Sequence, residues 1–175
     1  MVFQRSRAKY ALHRLRRGSW LTARIVIDQQ EKLPLDFGSV PTVVAHLKTG
    51  DYSLEGVTDL VAVERKSKAD MYGCVGADRD RFERCVQRLS QMDRAAVVIE
   101  CSLRRFKTPP ERTKITAAQA IHSCISWQVR YGVPFVWVDT REDAAAWIYQ
   151  FLCRWVKYRY SAVSQQSPPA APSAG

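Results

Sequence analysis

The sequence predicts an α/β domain with a central mixed β-sheet flanked by helices. Short apolar runs with the length of buried strands recur along the chain, and turn residues bound them. Between the later runs, apolar residues recur at helical spacing. With 175 residues, of which 46% are hydrophobic, the chain is long enough to bury one core. We place this domain at residues 23–160, between an N-terminal arm (residues 1–22) and a C-terminal tail (residues 161–175).

The arm is strongly basic. The first 24 residues carry seven Arg or Lys side chains and no acidic one, whereas the rest of the chain carries 20 basic and 17 acidic side chains. Such an arm suits a polyanionic partner, although a merely solvated terminus has the same composition. We expect Arg14, Arg16 and Arg17 to contact nucleic acid. The tail is rich in Ser, Gln, Pro and Ala, which predicts disorder.

The first half of the domain contains four predicted strands. They are residues 23–27, residues 42–47, a short strand beginning at Tyr52, and residues 60–66. Residues 29–41 contain two prolines and a glycine, which predicts a loop. The third and fourth strands are expected to form a hairpin through the Glu55-Gly56 turn.

The second half alternates helices and strands. Ser67 and Asp70 have the spacing of a capping box, which predicts a helix start. A second helix follows with Phe82, Val86 and Leu89 on its apolar face. The remaining predictions are a strand at residues 95–99, a basic loop at 104–110, a helix from Thr116 to Gly132, a strand at 133–138, and a helix capped by Thr140 and Asp143.

The last helix carries a wide apolar stripe. Its members are Ala144, Trp147, Ile148, Phe151, Leu152 and Trp155. Two interpretations are open. Either all six positions pack against one large core, or the aromatic residues serve in part as the interface of a homodimer.

The strand at residues 60–66 ends in three consecutive charges, Glu64, Arg65 and Lys66. Because side chains alternate along a strand, Glu64 and Lys66 share one face and Arg65 points to the other. Asp51, after Gly50, offers a second carboxylate at a turn. Two carboxylates and a lysine suit metal-assisted phosphodiester hydrolysis. Hard oxygen ligands without a Cys/His cluster favour Mg²⁺, or Mn²⁺, over zinc.

Gly50-Asp51, followed by Glu64-Arg65-Lys66 and then Asp70, resembles the signature of the ERCC4-type (XPF/Mus81) nuclease domain of the restriction-endonuclease-like superfamily. The likeness runs from about Ile25 to about Trp155. It implies a metal-dependent DNA endonuclease acting on branched or flap-type DNA. It also implies that Arg65 and Asp70 organise the catalytic site, and we expect a salt bridge between them.

A second element, Ile27-Asp28-Gln29-Gln30-Glu31, resembles the family's Val-Asp-x-Arg-Glu, with Gln30 in place of the arginine. Asp28 is therefore expected to be a further metal ligand or a neighbour that orients one, whereas Glu31 is either part of the site or simply solvated. Further nucleic-acid contacts are expected on the second helix and in the basic loop, at Arg81, Arg84, Arg104, Arg105 and Lys107.

The resemblance also implies a homodimer that binds DNA. Family members usually append a helix-hairpin-helix module, and only about twenty residues follow Trp155. Selectivity for DNA structure is then expected to come from the basic arm or from a separate DNA-targeting protein, or to be absent. Two other functions stay open, namely a catalytically silent DNA-binding or assembly subunit and a restriction-like nuclease of defence or phage systems. Widely spaced cysteines, with no signal peptide or membrane-spanning run, predict an intracellular protein that is not bound to a membrane.

Overall fold

The computed structural model of the chain describes residues 24–165. Its strands are β1 (Ile25–Asp28), β2 (Thr42–Ala45), β3 (Tyr52–Leu54), β4 (Val61–Ser67), β5 (Arg94–Glu100) and β6 (Phe135–Val138). Its helices are α1 (Lys68–Val75), α2 (Arg79–Ser90), α3 (Leu103–Phe106), α4 (Ala117–Tyr131) and α5 (Arg141–Gln165). None of these helices combines the length and the apolarity needed to cross a bilayer.

The strands form one mixed sheet in the order β2-β1-β3-β4-β5-β6. β3 lies antiparallel to both β1 and β4, while β2 runs parallel to β1, and β4, β5 and β6 run parallel to one another. The predicted hairpin is confirmed, with Tyr52 of β3 opposite Val63 of β4. The sheet therefore places β4, the strand that ends in three charges, near its centre.

Each face of the sheet carries its own apolar core. On one face, Ile25, Tyr52 and Val61 pack with Ile148 and Leu152 of α5. On the other face, α1, α2 and α4 cover the sheet, and their buried residues include Met71, Tyr72, Phe82, Val86, Leu89, Cys124 and Trp127. The apolar spacing that predicted α2 thus corresponds to its buried face.

The predicted helix ends are confirmed by their hydrogen bonds. Ser67 caps α1, because its side chain accepts a hydrogen bond from the Asp70 N–H. Thr140 and Asp143 bond reciprocally before α5, each side chain accepting from the other's backbone N–H. Gly132 ends α4 in the left-handed conformation, with φ of 67°, which glycine adopts without a steric penalty.

Besides shifts of one or two residues at strand ends, the structure differs from the predictions in two places. Within the segment expected to be a basic loop, Leu103–Phe106 form a short helix. Phe106 anchors it, since this ring is fully buried and lies 4.9 Å from the ring of Tyr72. At the C-terminus, α5 continues to Gln165, past the expected boundary at residue 160, and residues 166–175 of the expected tail lie outside the described residues.

Trp155 belongs to the core. Its side chain is 6% exposed, packs in the same cluster as Ile148, and donates a hydrogen bond from Nε1 to the Asp93 carboxylate at 2.7 Å. Trp147 and Phe151 are half-buried, with stacked rings 5.0 Å apart. The first interpretation of the apolar stripe therefore holds for Trp155, which a partner does not reach. Association of two copies stays a prediction.

We predict that Gly50→Ala destabilises the fold more than Gly56→Ala. Both glycines have positive φ, at 80° and 83° respectively, so alanine brings similar backbone strain of about 1 kcal/mol at each position. A Cβ on Gly50 would also lie 2.8 Å from the Ala62 Cβ, whereas nothing lies within 4 Å of one on Gly56. Overpacking adds about 1–3 kcal/mol at Gly50 alone. Urea unfolding of both variants measures the difference, and equal losses would contradict the clash.

Candidate active site

Asp51, Glu64 and Lys66 lie together on the α1/α2 face of the sheet. Tyr52 stands opposite Val63, so Asp51 comes beside Glu64 one step further along the two strands. Asp51 Oδ2 accepts a hydrogen bond from the Arg65 N–H at 2.7 Å, and Lys66 Nζ donates to Glu64 Oε1. The prediction that Glu64 and Lys66 share a face is confirmed.

Asp28 is a third carboxylate residue next to Asp51, on the neighbouring strand β1. It ends β1, and its backbone N–H donates to the Asp51 carbonyl at 2.8 Å. The side chain is buried, and its two oxygens accept from the backbone N–H groups of Gln30 at 2.8 Å and Leu47 at 2.6 Å. Asp28 therefore fixes the two loops that border the site. Its role as a metal ligand stays a prediction.

Burial and crowding of negative charge dominate the electrostatics of the site. Burial, and after it the neighbouring charge of Glu64, raise the pKa of Asp51 to about 7, although Lys66 opposes the shift. Burial alone would lower the pKa of Lys66, but the carboxylates of Glu64 and Asp51 outweigh it and the pKa lies above its usual value. Lys66 therefore stays an ammonium ion, and a further cation would stabilise both carboxylates.

The oxygen ligands of this site fit Mg²⁺ or Mn²⁺. Within residues 24–165, no three His, Cys, Asp or Glu side chains already surround one common point. Mg²⁺ does not require such a cage, because proteins usually hold it through one or two carboxylates while water and substrate phosphates supply the other ligands. Asp51 and Glu64 supply two carboxylates side by side, which matches that requirement.

Cys85 is a neighbour of the site that sequence reasoning missed. Its Sγ lies 3.5 Å from Glu64 Oε2, across from the oxygen that binds Lys66. Burial raises the pKa of this thiol, so it is a neutral donor at physiological pH. The helical spacing of α2 had marked Cys85 only as an apolar position. Its contact with β4 depends on how α2 crosses the sheet, which the sequence does not contain.

Arg65 points to the opposite face and forms a buried ion cluster. Its guanidinium donates two hydrogen bonds to Glu31, at 2.9 and 3.2 Å, and another to Glu100. All three side chains are at most 10% exposed. Burial raises the pKa of Glu31, but the hydrogen bonds from Arg65 and the Leu33 N–H, together with the charges of Arg65 and Lys66, outweigh burial, and the pKa lies below its usual value. The expected Arg65–Asp70 salt bridge is therefore wrong.

Arg141 extends the cluster to the start of α5. It donates to Glu100 at 3.3 Å and to the backbone carbonyls of Leu33 and Pro34, each at 2.9 Å. Arg65, Glu31, Glu100 and Arg141, which we call the arginine cluster, thus join β4, the loop after β1, the end of β5 and the start of α5. Sequence reasoning missed Arg141. The only signal for Glu100 was a charge at the end of a buried strand.

Asp70 has a structural role at the helix start. Its Oδ2 accepts a hydrogen bond from Ser67 Oγ at 2.7 Å, and its backbone N–H donates to the same hydroxyl at 3.1 Å. The side chain is exposed at the first turn of α1, where a negative charge interacts favourably with the helix dipole. The capping interpretation of this residue is therefore confirmed.

Among the basic residues expected to contact nucleic acid, some form ion pairs with aspartates and others are simply exposed. Arg81 lies 3.4 Å from Asp78, and Arg105 lies 3.0 Å from Asp139. Arg84, Arg104 and Lys107 are exposed. Arg14, Arg16 and Arg17 lie outside the described residues. Contact of any of these side chains with DNA stays a prediction.

We predict that Arg65→Met destabilises the protein by about 3–5 kcal/mol, because it leaves two buried carboxylates without their shared cation. Arg24→Met is the matched control. Arg24 also pairs with a glutamate, Glu55, but both side chains are nearly half exposed, and such pairs contribute about 0–1 kcal/mol. Urea unfolding at neutral pH measures both variants. A loss for Arg65→Met no larger than that for Arg24→Met would show that the arginine cluster adds no stability.

Comparisons with known proteins agree with this geometry. Two solved structures are similar at 21–22% identity, which shows a shared, restriction-endonuclease-like fold. XPF from Aeropyrum pernix has a TM-score of 0.61 and 22% identity, over 81% of this chain and 69% of that one. XPF from the same organism in complex with DNA has a TM-score of 0.60 and 21% identity, over 87% and 76%. No curated protein sequence matches the chain. A family model, "ERCC4 domain", matches residues 21–151, so the chain belongs to the ERCC4 domain family.

Proposed function

We propose that this chain is a divalent-metal-dependent DNA endonuclease that hydrolyses phosphodiester bonds in branched or flap-type DNA. The observation that carries the proposal is the placement of Asp51 and Glu64 beside Lys66 on adjacent strands of one sheet face. Membership of the ERCC4 domain family supports a nuclease. The complex of the Aeropyrum pernix relative with DNA supports DNA as the substrate.

The chain's own residues have separable roles in this reaction. Asp51 and Glu64 would hold Mg²⁺ or Mn²⁺, which supplies Lewis-acid stabilisation of the phosphate and lowers the pKa of bound water. Lys66, kept charged by both carboxylates, would hold a non-bridging phosphate oxygen or the attacking water in place. The Arg65 N–H orients Asp51, and the Cys85 thiol lies against Glu64. These last two groups position ligands and do not touch the reacting atoms.

The proposal includes three partners. DNA is the substrate, a second copy of the chain is the expected partner in a homodimer, and a separate DNA-targeting protein is one alternative to the basic arm as a source of structure selectivity. The rival function, a catalytically silent DNA-binding subunit, predicts DNA binding without cleavage. Incubating the chain with plasmid, flap, fork and junction DNA, with Mg²⁺ or Mn²⁺, separates the two functions.

We predict that Asp51→Asn abolishes cleavage while DNA affinity stays nearly unchanged. Asparagine keeps the shape of the side chain, and its carbonyl can still accept from the Arg65 N–H, but it removes one negative charge from the metal site. Cleavage rates on the four DNA substrates measure the effect. Cutting at the wild-type rate would show that Asp51 is not a ligand.

Folding of this variant provides the control. The pKa of Asp51 is about 7 in the folded protein, above the usual value of 3.8, so an ionised Asp51 costs stability at pH values above both. Without metal, Asp51→Asn should therefore be more stable than the wild type at pH 8. The gain should shrink as pH falls from about 7 towards 3.8 and vanish at lower pH, where the wild-type carboxyl is protonated in both states. Thermal unfolding across this range checks the sign.

We also predict that deleting residues 1–18 weakens DNA binding uniformly across sequences. The deletion removes six basic side chains and no acidic one. Because neutralised phosphates release counterions, it should also flatten the dependence of affinity on salt. Fluorescence anisotropy over a salt series measures both quantities. An unchanged affinity with an unchanged slope would show that the arm does not contact DNA.

A further inference from the structure

A groove lies beside α1, and none of the residues that form the candidate active site lines it. Its cavity volume is about 530 Å³, and it separates α1 from the loop that precedes α4. The α1 wall consists of small residues, namely Ala69, Gly73, Gly76 and Ala77, and the opposite wall includes Arg112 and Lys114. Small side chains on one wall and long cations on the other allow a chain of phosphates to approach the helix closely.

The two cations of this groove, Arg112 and Lys114, have no side-chain partner among the described residues. Between residues 24 and 165, neither Arg112 nor Lys114 forms a side-chain hydrogen bond or ion pair, and both are exposed. Elsewhere, arginines such as Arg130 and Arg141 pair with glutamates. Glu111 also lines the groove, but the two cations outnumber it. The groove therefore has a positive charge available for a ligand.

The backbone of Arg112 is strained, and its side chain is exposed. Its φ of 66° makes it the one residue other than glycine with a positive φ within residues 24–165. A residue with a Cβ pays a steric cost in this conformation, and a long side chain such as arginine is uncommon there. Glycine or asparagine would adopt the same turn more readily. Fold stability alone therefore does not explain an arginine at this position.

The groove lacks a surface on which bases could stack. Tyr72 is its aromatic lining residue, but its ring is 2% exposed and its hydroxyl donates to the Phe106 carbonyl. Contacts would then go to the sugar–phosphate backbone, which carries no readable sequence code. A cavity of about 530 Å³ is too small to enclose an intact duplex, whose major groove alone is about 12 Å wide.

We propose that this groove holds the sugar–phosphate backbone of one DNA strand leading away from the cleavage site. The proposal rests on the function proposed above and assigns a path to its substrate. Ala69 lines the groove and follows Lys66 by three residues, so their Cα atoms are at most about 11 Å apart and a strand that leaves the active site can pass the start of α1. Lys68, at the start of α1, adds a cation on this path.

Binding to a fluorescent single-stranded oligonucleotide tests the groove without cleavage. The full chain is used in EDTA, over a salt series, with a duplex of equal length as a second ligand. Lys114→Gln should weaken single-strand binding about three- to tenfold and lower the salt slope by about 0.7, the value for one phosphate contact. The loss should be larger for the single strand than for the duplex. Equal losses would overturn the assignment to one strand.

Arg112→Gly separates function from folding. Glycine adopts φ of 66° without strain, so the unfolding temperature should stay the same or rise while single-strand affinity falls. The matched control is Arg154→Gln, because Arg154 is exposed on α5, across the sheet from the groove. The control should leave affinity and slope unchanged. Wild-type affinity in both groove variants, or an equal loss in the control, would overturn the proposal.

Two further results separate this proposal from its alternatives. If the chain cleaves no DNA but the groove variants still lose single-strand affinity, the proposed enzyme activity fails and the groove stands. If cleavage is normal and affinity is unchanged in the variants, the groove fails and the activity stands. Polyglutamate is the final competitor. Displacement of the oligonucleotide by polyglutamate at equal charge concentration would overturn a DNA site in favour of an acidic protein segment.

Discussion

The ion pairs of Arg65 are the interaction on which the candidate active site depends. Side chains alternate along β4, so fixing Arg65 between Glu31 and Glu100 on one face fixes Glu64 and Lys66 on the other. A slip of one residue would exchange the two faces and leave charges buried in an apolar core. The arginine cluster thus sets the register of a central strand. The cluster also attaches α5 to the sheet through Arg141, on the face opposite the candidate active site.

The candidate active site, by contrast, lowers the stability of the fold. Asp51 and Glu64 lie side by side in a desolvated place, and the raised pKa of Asp51 reflects the cost of holding both negative charges there. Lys66 offsets only part of that cost. Such a perturbed pair is typical of functional sites, because a fold selected for stability alone would separate the carboxylates or neutralise them. The buried apolar clusters on the two faces of the sheet supply the stability that tolerates it.

The sequence predicted the features that depend on local periodicity. Period-two alternation placed Glu64 and Lys66 together, and the Glu55-Gly56 turn predicted the hairpin that brings Asp51 beside them. Contacts between distant segments were not predictable. Arg65 and Glu31 are 34 residues apart, and Arg141 and Glu100 are 41 apart, so only the packed fold brings them together. The expected Arg65–Asp70 pair was wrong because Asp70 faces Ser67 at a helix start. The core position of Trp155 was equally unpredictable, because its hydrogen-bond partner Asp93 is 62 residues away along the chain.

The arginine cluster also bears on Gln30, the position at which the chain departs from the family's Val-Asp-x-Arg-Glu element. Arg65 and Arg141 already balance the buried charges of Glu31 and Glu100, so a further cation is not needed to neutralise them. The hydrogen bond that residue 30 gives to Asp28 comes from its backbone N–H, which every residue except proline can donate. The glutamine therefore preserves the geometry around Asp28 and the charge balance behind β4. It changes only the charge of the side chain at position 30, which belongs neither to the hydrogen bonds of Asp28 nor to the arginine cluster.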